Sequence, residues 1–273
     1  MSFFFPGELI GAHRLEKFVK SSENCELWIA LSSEGSYEVL KIFTCDCPDM
    51  RRLLRVADIL CNSKTLGLVN FSDFGKSEAG FYFFASRYQA GGSLAEKLAK
   101  TGTLSGGQTL RMLRGVLQGL DSLHRLGIVH RDVKPANIFI DSAGNSALGD
   151  FGIAKVAGID DIEGSVFGTA AYMSPEQVRD SSKLSFKSDF FSLALTAFEC
   201  LAGRRRYGQK EYGKALRAVL SERGLSEGEL GALGGAELFK VLAKMMSPSP
   251  EARPDSAAAI LSELEGLLDE PIL

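Results

Sequence analysis

The amino-acid sequence predicts an α+β fold with a small, strand-rich N-terminal part and a larger, mainly helical C-terminal part. Up to about residue 88, short apolar segments of strand length alternate with turn residues. Gly91 and Gly92 interrupt that pattern, because paired glycines make a poor element interior. Beyond them the apolar residues recur at helical spacing.

Strands and one helix are predicted before the glycine pair. The turn Ser32–Gly35 separates two apolar segments and indicates a hairpin. Met50–Cys61 carries an apolar stripe at helical spacing. The predicted strands are Leu27–Leu31, Tyr37–Phe43, Leu68–Phe74 and Gly80–Ala85.

Helices are predicted after the glycine pair. The stripe Leu110–Leu126 ends at Gly127, which suits the position just past a helix end. The apolar run Phe190–Ala202 predicts a buried helix. A pair of helices is predicted between residues 216 and 268, closing with Ala257–Leu268.

Composition and charge narrow the class of protein. With 273 residues, 45% of them hydrophobic and 24% charged, the chain can bury a substantial core. The net charge is −3, and no basic run is longer than Arg204–Arg206. Both observations argue against nucleic-acid binding.

Three features predict a cytoplasmic protein without membrane contact in this chain. The longest apolar run, Phe190–Ala202, contains Glu199 and is too short to span a bilayer. The first residues lack the charged start of a signal peptide. The 5 cysteines include no C-x-x-C pair, so reduced thiols are expected.

Residues 130–137, which read His-Arg-Asp-Val-Lys-Pro-Ala-Asn, carry the most chemistry in the chain. Pro135 excludes a helix interior, so Asp132 and Lys134 must lie on a loop. Asn137 follows on the same loop, and Asp150 begins Asp-Phe-Gly a little further along. Phosphoryl transfer needs such a set: a proton acceptor, a cation for the γ-phosphate and hard oxygen ligands for Mg²⁺.

These two motifs resemble the catalytic loop and the metal-binding motif of eukaryotic-like (Hanks-type) Ser/Thr protein kinases. Residues 168–177, which contain Ser-Pro-Glu, are similar to bacterial members of that family. Other segments similar to the family are Val39-Leu40-Lys41, Ser188-Asp189 and Arg253. The resemblance runs from about Ile10 to Leu268 and is strongest from His124 onward.

The resemblance implies a bilobal protein-kinase fold in a single domain over residues 1–273. It places a small antiparallel-sheet N-lobe with one helix at about residues 8–88, a hinge at about 87–91 and a larger, mainly helical C-lobe at about 92–270. It also implies that the protein uses ATP with Mg²⁺, or with Mn²⁺ as the alternative metal. The implied substrate is a protein that presents Ser or Thr. An activating partner and the oligomeric state stay open.

The resemblance assigns a role to each matched residue. Asp132 is implied to accept the proton of the substrate hydroxyl or to orient that hydroxyl. Lys134 is implied to neutralise the transferring phosphoryl group, and it points to Ser/Thr substrates. Asn137 and Asp150 bind Mg²⁺, and Lys41 binds the α- and β-phosphates. The other implied nucleotide contacts are Leu27, Val39, Ser86, Tyr88 and Phe139.

Further residues are implied to support the loop. Thr169 bridges the catalytic Asp and Lys at the ledge where the substrate docks, and Asp189 anchors the loop's backbone. Glu176 and Arg253 are expected to form a bidentate, largely buried ion pair.

Activation is expected to depend on Arg131, which needs a counter-charge to order the segment from Asp150 to Glu176. Ser165 is the better phosphorylation site, because Thr169 is committed to the substrate ledge. One alternative is constant negative charge from Asp160, Asp161 and Glu163, and another is that these acids form only a solvated loop.

The sequence departs from the family in the glycine-rich loop. Lys20, Ser22 and Cys25 stand where three glycines are usual. Glycine there lets the backbone approach phosphate closely. Lys20 and Ser22 offer side-chain contacts in its place.

A second departure concerns the glutamate that usually pairs with the strand lysine. Gap-free counting puts Val56 at its position. Val56 is expected to face Lys41 across the nucleotide cleft, and the alternative is that it packs in a dry core of the N-lobe. Asp58 projects from nearly the opposite helical face and is a poor substitute. Lys41 is therefore expected to lack its usual tether.

Two functions are compatible with these observations. In the first, the chain is a working Ser/Thr protein kinase, because the complete set of base, cation and metal ligands is present. In the second, it is a pseudokinase, a binding or scaffold module, because the missing glycines and glutamate remove positioning. The first is favoured, since metal and base ligands are harder to replace than a loop.

Overall fold

The computed structural model describes residues 2–22, 24–45, 50–63, 65–152, 154–156, 169–180, 184–208, 211–226, 229 and 235–268. The chain forms two compact units. The first comprises residues 1–65 and 69–90, and the second comprises residues 66–68 and 91–273.

An antiparallel sheet forms most of the first unit. Its strands are β1 (Leu9–Ile10), β2 (His13–Ser21), β3 (Cys25–Leu31), β4 (Tyr37–Phe43), β5 (Phe71–Lys76) and β6 (Tyr82–Arg87). They lie in the order β1-β2-β3-β4-β6-β5, and neighbouring strands are antiparallel. The predicted hairpin is the pair β3 and β4.

The start of the chain covers one face of this sheet. Trp28, Leu40 and Phe83 project from three strands into one buried cluster. Phe4, which is 3% exposed, joins that cluster and meets the ring of Phe81 edge-on at a centroid distance of 5.1 Å. The N-terminal residues are therefore part of the core of the first unit.

A buried carboxylate fixes that N-terminal segment. Glu26 accepts hydrogen bonds from Ser2 Oγ (2.7 Å), the Phe3 backbone N–H (2.7 Å) and the Trp28 indole N–H (2.9 Å). Burial alone would raise the pKa of Glu26, but these hydrogen bonds outweigh burial and hold the pKa below its ordinary value.

The opposite face of the sheet carries α1 (Met50–Cys61), with the bounds that the sequence predicts. Leu53 and Ala57 from the helix pack with Phe43 and Phe84 from the strands. These helical residues lie on one stripe, and burial of that stripe against the sheet stabilises the helix.

Helices dominate the second unit. They are α2 (Leu94–Thr101), α3 (Gly106–Arg125), α4 (Pro175–Arg179), α5 (Phe186–Ala202), α6 (Tyr212–Leu220), α7 (Ala236–Met245) and α8 (Ala257–Leu268). The two short antiparallel pairs are β7 (Ile128–Val129) with β10 (Lys155–Val156) and β8 (Ile138–Ile140) with β9 (Ser146–Leu148). Helices α6 to α8 occupy the region for which the sequence predicts only a pair.

Local sequence signals set the helix ends. Ser93 and Ser105 form capping boxes with Glu96 and Gln108 at the starts of α2 and α3. Gly127 lies just past α3 with φ +73°, as its place in the sequence predicts. The apolar run near residue 190 forms α5, which is buried along nearly its whole length.

The structure corrects one predicted strand. The segment Leu68–Phe74 is extended as β5 only from residue 71, because its first residue belongs to the second unit. There the Leu148 N–H donates to the Gly67 carbonyl at 2.8 Å. A Cβ atom on Gly67 would lie 2.3 Å from the Gly115 carbonyl of α3, so glycine is required for this close approach.

Candidate active site

The loop between β7 and β8, which carries the predicted catalytic residues, is held by a buried carboxylate. Asp189, in the first turn of α5, is fully buried. It accepts hydrogen bonds from the backbone N–H groups of His130 (3.0 Å) and Arg131 (2.8 Å). The predicted anchoring of this loop by Asp189 is confirmed.

His124, from the last turn of α3, supports that anchor. Its Nε2 lies 2.9 Å from an oxygen of Asp189, and its ring stacks on Phe186 at 4.5 Å. Burial alone would raise the pKa of Asp189, but the hydrogen bond and charge of His124, together with His130, hold it below its ordinary value. The anchor is therefore an anion at neutral pH.

Asp132 lies at the centre of the hydrogen bonds of the loop. One of its oxygens accepts from Lys134 Nζ (2.6 Å) and Asn137 Nδ2 (2.9 Å). The other accepts from the backbone N–H of Thr169 at 3.3 Å, and Lys134 also donates to Thr169 Oγ1 at 2.7 Å. The structure thus brings together the residues that the sequence assigns to the base and the substrate ledge.

The β8–β9 hairpin brings Asn137 and Asp150 to the same end of two paired strands. The Gly149 N–H donates to the Asn137 carbonyl at 2.9 Å, one step beyond the β8–β9 pairing. The side-chain nitrogen of Asn137 is committed to Asp132, which leaves its side-chain oxygen for a ligand. Asp150 has φ +56°, a conformation that costs a non-glycine residue about 1–3 kcal/mol and clusters at functional sites.

This donor set fits Mg²⁺. An amide oxygen and a carboxylate are hard ligands of the type that Mg²⁺ prefers. Within the described ranges, no group of three or more His, Cys, Asp and Glu side chains could hold a metal by itself. Two protein ligands leave coordination positions for phosphate oxygens and water, which Mg²⁺ usually keeps.

A buried ion pair supports α4, the helix that begins a few residues after Thr169. Arg253 donates to both carboxylate oxygens of Glu176, at 2.6 and 2.8 Å, and Ser188 Oγ adds a bond of 2.7 Å. Burial alone would raise the pKa of Glu176, but Arg253 and Ser188 outweigh burial and lower it. The predicted bidentate, buried pair is confirmed.

The first unit presents its predicted nucleotide contacts on one face of the sheet. In the strand register, Leu27 pairs with both Lys20 and Lys41, and Val39 pairs with Ser86. Directly opposed residues share a face. Alternation along β4 puts this face on the side that α1 covers.

The turn between β2 and β3 includes Ser22 and follows Lys20, the two residues from which the sequence predicts side-chain contacts to phosphate. The Ser22 N–H donates to the Cys25 carbonyl at 2.8 Å, and Ser22 Oγ donates to the same oxygen at 3.3 Å. The Ser22 hydroxyl thus helps to close the turn, and its contact with a phosphate stays a prediction. Lys20 is exposed and lies in one row with Leu27 and Lys41.

The structure shows part of the surroundings of Lys41 and Val56. Lys41 Nζ lies 5.8 Å from the centroid of the Phe43 ring, within the range of a cation–π contact. The expected loss of its usual glutamate tether stays a prediction. Val56 is 1% exposed, and Arg52, four residues earlier on the same helical face, is 5% exposed. The placement of Val56 opposite Lys41 stays a prediction.

The remaining predicted residues lie as follows. Tyr88, just after β6, is 41% exposed, and Phe139 is half-buried in β8 of the second unit. Arg131 is buried and has φ +72°. Ser165 and its acidic neighbours Asp160, Asp161 and Glu163 lie outside the described residues.

Two residues of the loop's surroundings were not singled out from the sequence. His124 directly follows Leu123, the last buried apolar residue of α3. Gln177 directly follows Glu176, and the Nε2 of Gln177 donates to the Arg131 carbonyl at 2.9 Å. A polar side chain inside a buried stretch is the signal in both cases, because such groups need partners.

The similarity of this chain to known proteins agrees with the site. Residues 40–263 match the protein kinase domain family. The Myxococcus xanthus serine/threonine-protein kinase pkn3 is 30% identical over 211 residues, which cover 73% of this chain and 38% of that protein. The probable serine/threonine-protein kinase PknB of Bifidobacterium longum is 32% identical over 224 residues, with coverage of 75% and 32%. The serine/threonine-protein kinases PknA of Corynebacterium glutamicum are 32% identical over 212 residues, with coverage of 73% and 45%.

The chain therefore belongs to the protein kinase domain family, and its sheet-bearing and helical units are the two lobes of the α+β kinase fold. Such domains use ATP and a divalent metal and act on protein substrates. The chain spans less than half the length of each of these three relatives. No helix in the described ranges is long and apolar enough to cross a membrane.

Proposed function

We propose that this chain is an ATP-dependent Ser/Thr protein kinase whose loop at residues 130–137 performs the phosphoryl transfer. One observation carries the proposal: Lys134, Asn137 and the Thr169 N–H all bond the carboxylate of Asp132. A base, a cation and a metal ligand are thereby joined in one group. The three relatives, all named as serine/threonine-protein kinases, support the same function.

In the proposed reaction, the substrate hydroxyl oxygen forms a bond to the γ-phosphorus of ATP and the bond to ADP breaks. The hydroxyl proton goes to Asp132. The Asp132 oxygen that accepts only the 3.3 Å bond from Thr169 is better able to accept this proton than the oxygen that already accepts two shorter bonds. Lys134, which bonds Asp132 and Thr169, places positive charge beside the transferring group.

The side-chain oxygen of Asn137 and the carboxylate of Asp150 would hold Mg²⁺, or Mn²⁺ in its place. The bound ion supplies charge neutralisation for the phosphates. In the proposal, Lys41 serves the α- and β-phosphates, and Lys20 adds a second cation in place of the glycine-rich backbone. The remaining proposed nucleotide contacts are Ser22, Leu27, Val39, Ser86, Tyr88 and Phe139.

A pseudokinase is the second candidate. It is favoured by the closed turn between Ser22 and Cys25 and by the buried valine at position 56. A protein of this class would bind nucleotide or a partner without transferring phosphate. The two candidates differ in turnover rather than in fold.

A transfer assay separates them. The purified chain is incubated with labelled ATP, Mg²⁺ or Mn²⁺ and a generic protein substrate, beside Asp132→Asn and Asp150→Ala. A kinase transfers label, and Asp132→Asn lowers turnover by about 10²–10⁴-fold with nucleotide binding nearly intact. Asp150→Ala should abolish Mg²⁺-dependent nucleotide binding, because it removes a charged ligand.

Two outcomes count against the kinase. If Asp132→Asn phosphorylates as fast as the parent, the assignment of the loop is wrong. If the parent binds nucleotide with Mg²⁺ and transfers no label under any of these conditions, the pseudokinase is the function.

We further propose that negative charge from the segment before Thr169 acts on Arg131 to activate the enzyme. Phosphorylated Ser165 is one source, and constant acidic charge is the other. Activity that survives phosphatase treatment but is lost when Asp160, Asp161 and Glu163 become Asn and Gln favours constant charge. A strict requirement for phosphorylated Ser165 excludes it.

A further inference from the structure

Gln177 lies where the substrate ledge meets the catalytic loop. It is the third residue of α4, directly follows the ion-paired Glu176, and is 1% exposed. Its Nε2 donates to the Arg131 carbonyl at 2.9 Å. Its backbone N–H donates to Ser174 Oγ, the cap of α4, at 3.4 Å. A buried amide on a capped helix therefore holds the residue before Asp132.

Arg131 requires such support because its backbone is strained. Its φ of +72° lies in the left-handed region, which residues with a Cβ atom disfavour. Its N–H donates to Asp189 at 2.8 Å and its carbonyl accepts from Gln177, so α5 and α4 hold the two ends of one residue. A conformation of this kind persists only where the surroundings fix it.

We infer that Gln177 is a positioning residue for Asp132, an inference that rests on the proposed kinase function. The Arg131 carbonyl and the Asp132 N–H belong to one planar peptide group. Fixing the direction of the carbonyl therefore fixes where the Asp132 side chain begins. Without the bond from Gln177, the peptide gains freedom to rotate and the carboxylate loses its alignment with the substrate hydroxyl.

The required feature of Gln177 is its N–H donor and not its shape. An apolar chain of similar length could fill a position that is 1% exposed. The neighbouring pair of Glu176 and Arg253 already joins α4 to the rest of the second unit. Met and Glu, which are close to Gln in shape, therefore test the donor separately from packing.

Gln177→Met removes the donor. We expect kcat to fall about 10-fold, because small misplacements of a catalytic group are costly, and KM for ATP to stay within about twofold of the parent value. Thr196→Val is the matched control, since Thr196 is fully buried in α5 and loses a 3.0 Å bond to the Ser192 carbonyl. The control should melt at a lower temperature and keep its kcat. A kcat for Gln177→Met equal to that of the control overturns the inference.

Gln177→Glu gives a readout that a purely structural role would not move. A protonated carboxyl can donate to the Arg131 carbonyl, whereas a carboxylate cannot. The kcat of Gln177→Glu relative to the parent should therefore rise as pH falls, while the same ratio for Gln177→Met stays flat. Equal pH dependence of the two ratios overturns the inference.

Amide hydrogen exchange separates this inference from the proposed function. The Asp132 N–H, which shares a peptide group with the Arg131 carbonyl and donates to His130 Nδ1 at 3.3 Å, should exchange faster in Gln177→Met than in Thr196→Val, whether or not the chain transfers phosphate. Faster exchange in a chain whose parent transfers no label would contradict the kinase proposal and would still support the link that Gln177 makes between α4 and the loop. Unchanged exchange would contradict the link between α4 and the loop, whatever turnover is measured.

Discussion

The loop at residues 130–137 and the turn between β2 and β3 are the two places where phosphate contacts are expected, and they are built differently. The loop is held from a distance: Asp189, Gln177 and Thr169 bond it from 58, 46 and 37 residues away. The turn closes locally through bonds between Ser22 and Cys25. The conformation of the loop depends on residues from distant parts of the chain, and the conformation of the turn depends on a few neighbouring residues.

The difference follows from what each site requires of the chain. Proton transfer and charge neutralisation need particular side chains at fixed distances, so the side chains and the contacts that align them occur together. Cradling a phosphate needs either a backbone without Cβ atoms or a cation. Lys20 and Lys41, in one row on either side of Leu27, supply cations. In the proposed function, the chain thus keeps the residue types that phosphoryl transfer needs and changes how a nucleotide is held.

The largest expected effect comes from breaking the scaffold of the second unit. Arg253→Ala leaves the buried Glu176 without its cation and should lower the free energy of unfolding by about 3–5 kcal/mol. Thermal and urea unfolding measure this change. The control is Arg125→Ala, which removes a largely exposed pair with Asp121 and should cost less than about 0.5 kcal/mol. Equal stability of the two variants would contradict the role of the buried pair.

The loop and the local elements could be predicted because their signals are local. Asp132, Lys134 and Asn137 stand within a few positions of one another, and each residue type has a specific use in phosphoryl transfer. The bounds of α1 and the β3–β4 hairpin follow from side-chain periodicity and turn residues.

The contacts between distant residues could not be predicted in this way. Leu68 belongs with the second unit because glycines let its segment approach α3, and Glu26 binds the start of the chain. Gln177 reaches Arg131 from another helix. Each case depends on where a buried polar or backbone group finds its partner, and periodicity carries no such information.

A second variant tests whether the first unit can be made more like its family. Val56→Glu restores the usual residue type, but Val56 is 1% exposed. We expect the free energy of unfolding to fall by about 2 kcal/mol or more, because a buried charge loses its hydration. Differential scanning fluorimetry and ATP titration measure stability and binding.

Val56→Gln is the control for that variant, since it has a similar shape without the charge. If the Glu variant is more stable than the Gln variant, the carboxylate has found a cation, and Lys41 and Arg52 are the candidates. A Glu variant that is as stable as the parent and no better at binding or turnover contradicts the placement of Val56 opposite Lys41.

The docked N-terminus should give the first unit a pH response of its own. The pKa of Glu26 lies below its ordinary value of 4.5, so its bonds stabilise the fold above that pH and are lost as pH falls through the lower, folded value. Trp28, the only tryptophan, donates to Glu26, and its fluorescence should therefore change below pH 4.5. Glu26→Gln should flatten this transition and cost about 1.5 kcal/mol. An unchanged transition in that variant would assign it to other carboxylates.

The smallest effect on a measured property is expected from a change at Lys20. This change tests directly whether the turn holds phosphate in a different way from the loop. If a side-chain cation replaces the glycine-rich backbone, Lys20→Met should raise KM for ATP about 2–5-fold, because an exposed ion contact is worth at most about 1 kcal/mol. Its kcat should not change, since the proposed proton acceptor and metal ligands lie in the second unit. Lys100→Met, which makes the same charge change at an exposed position of α2, controls for net charge. The difference between the two variants should shrink at high salt, because screening weakens exposed charges. Identical KM values at low salt would show that Lys20 does not replace the glycines and that Lys41 alone serves the phosphates from this sheet.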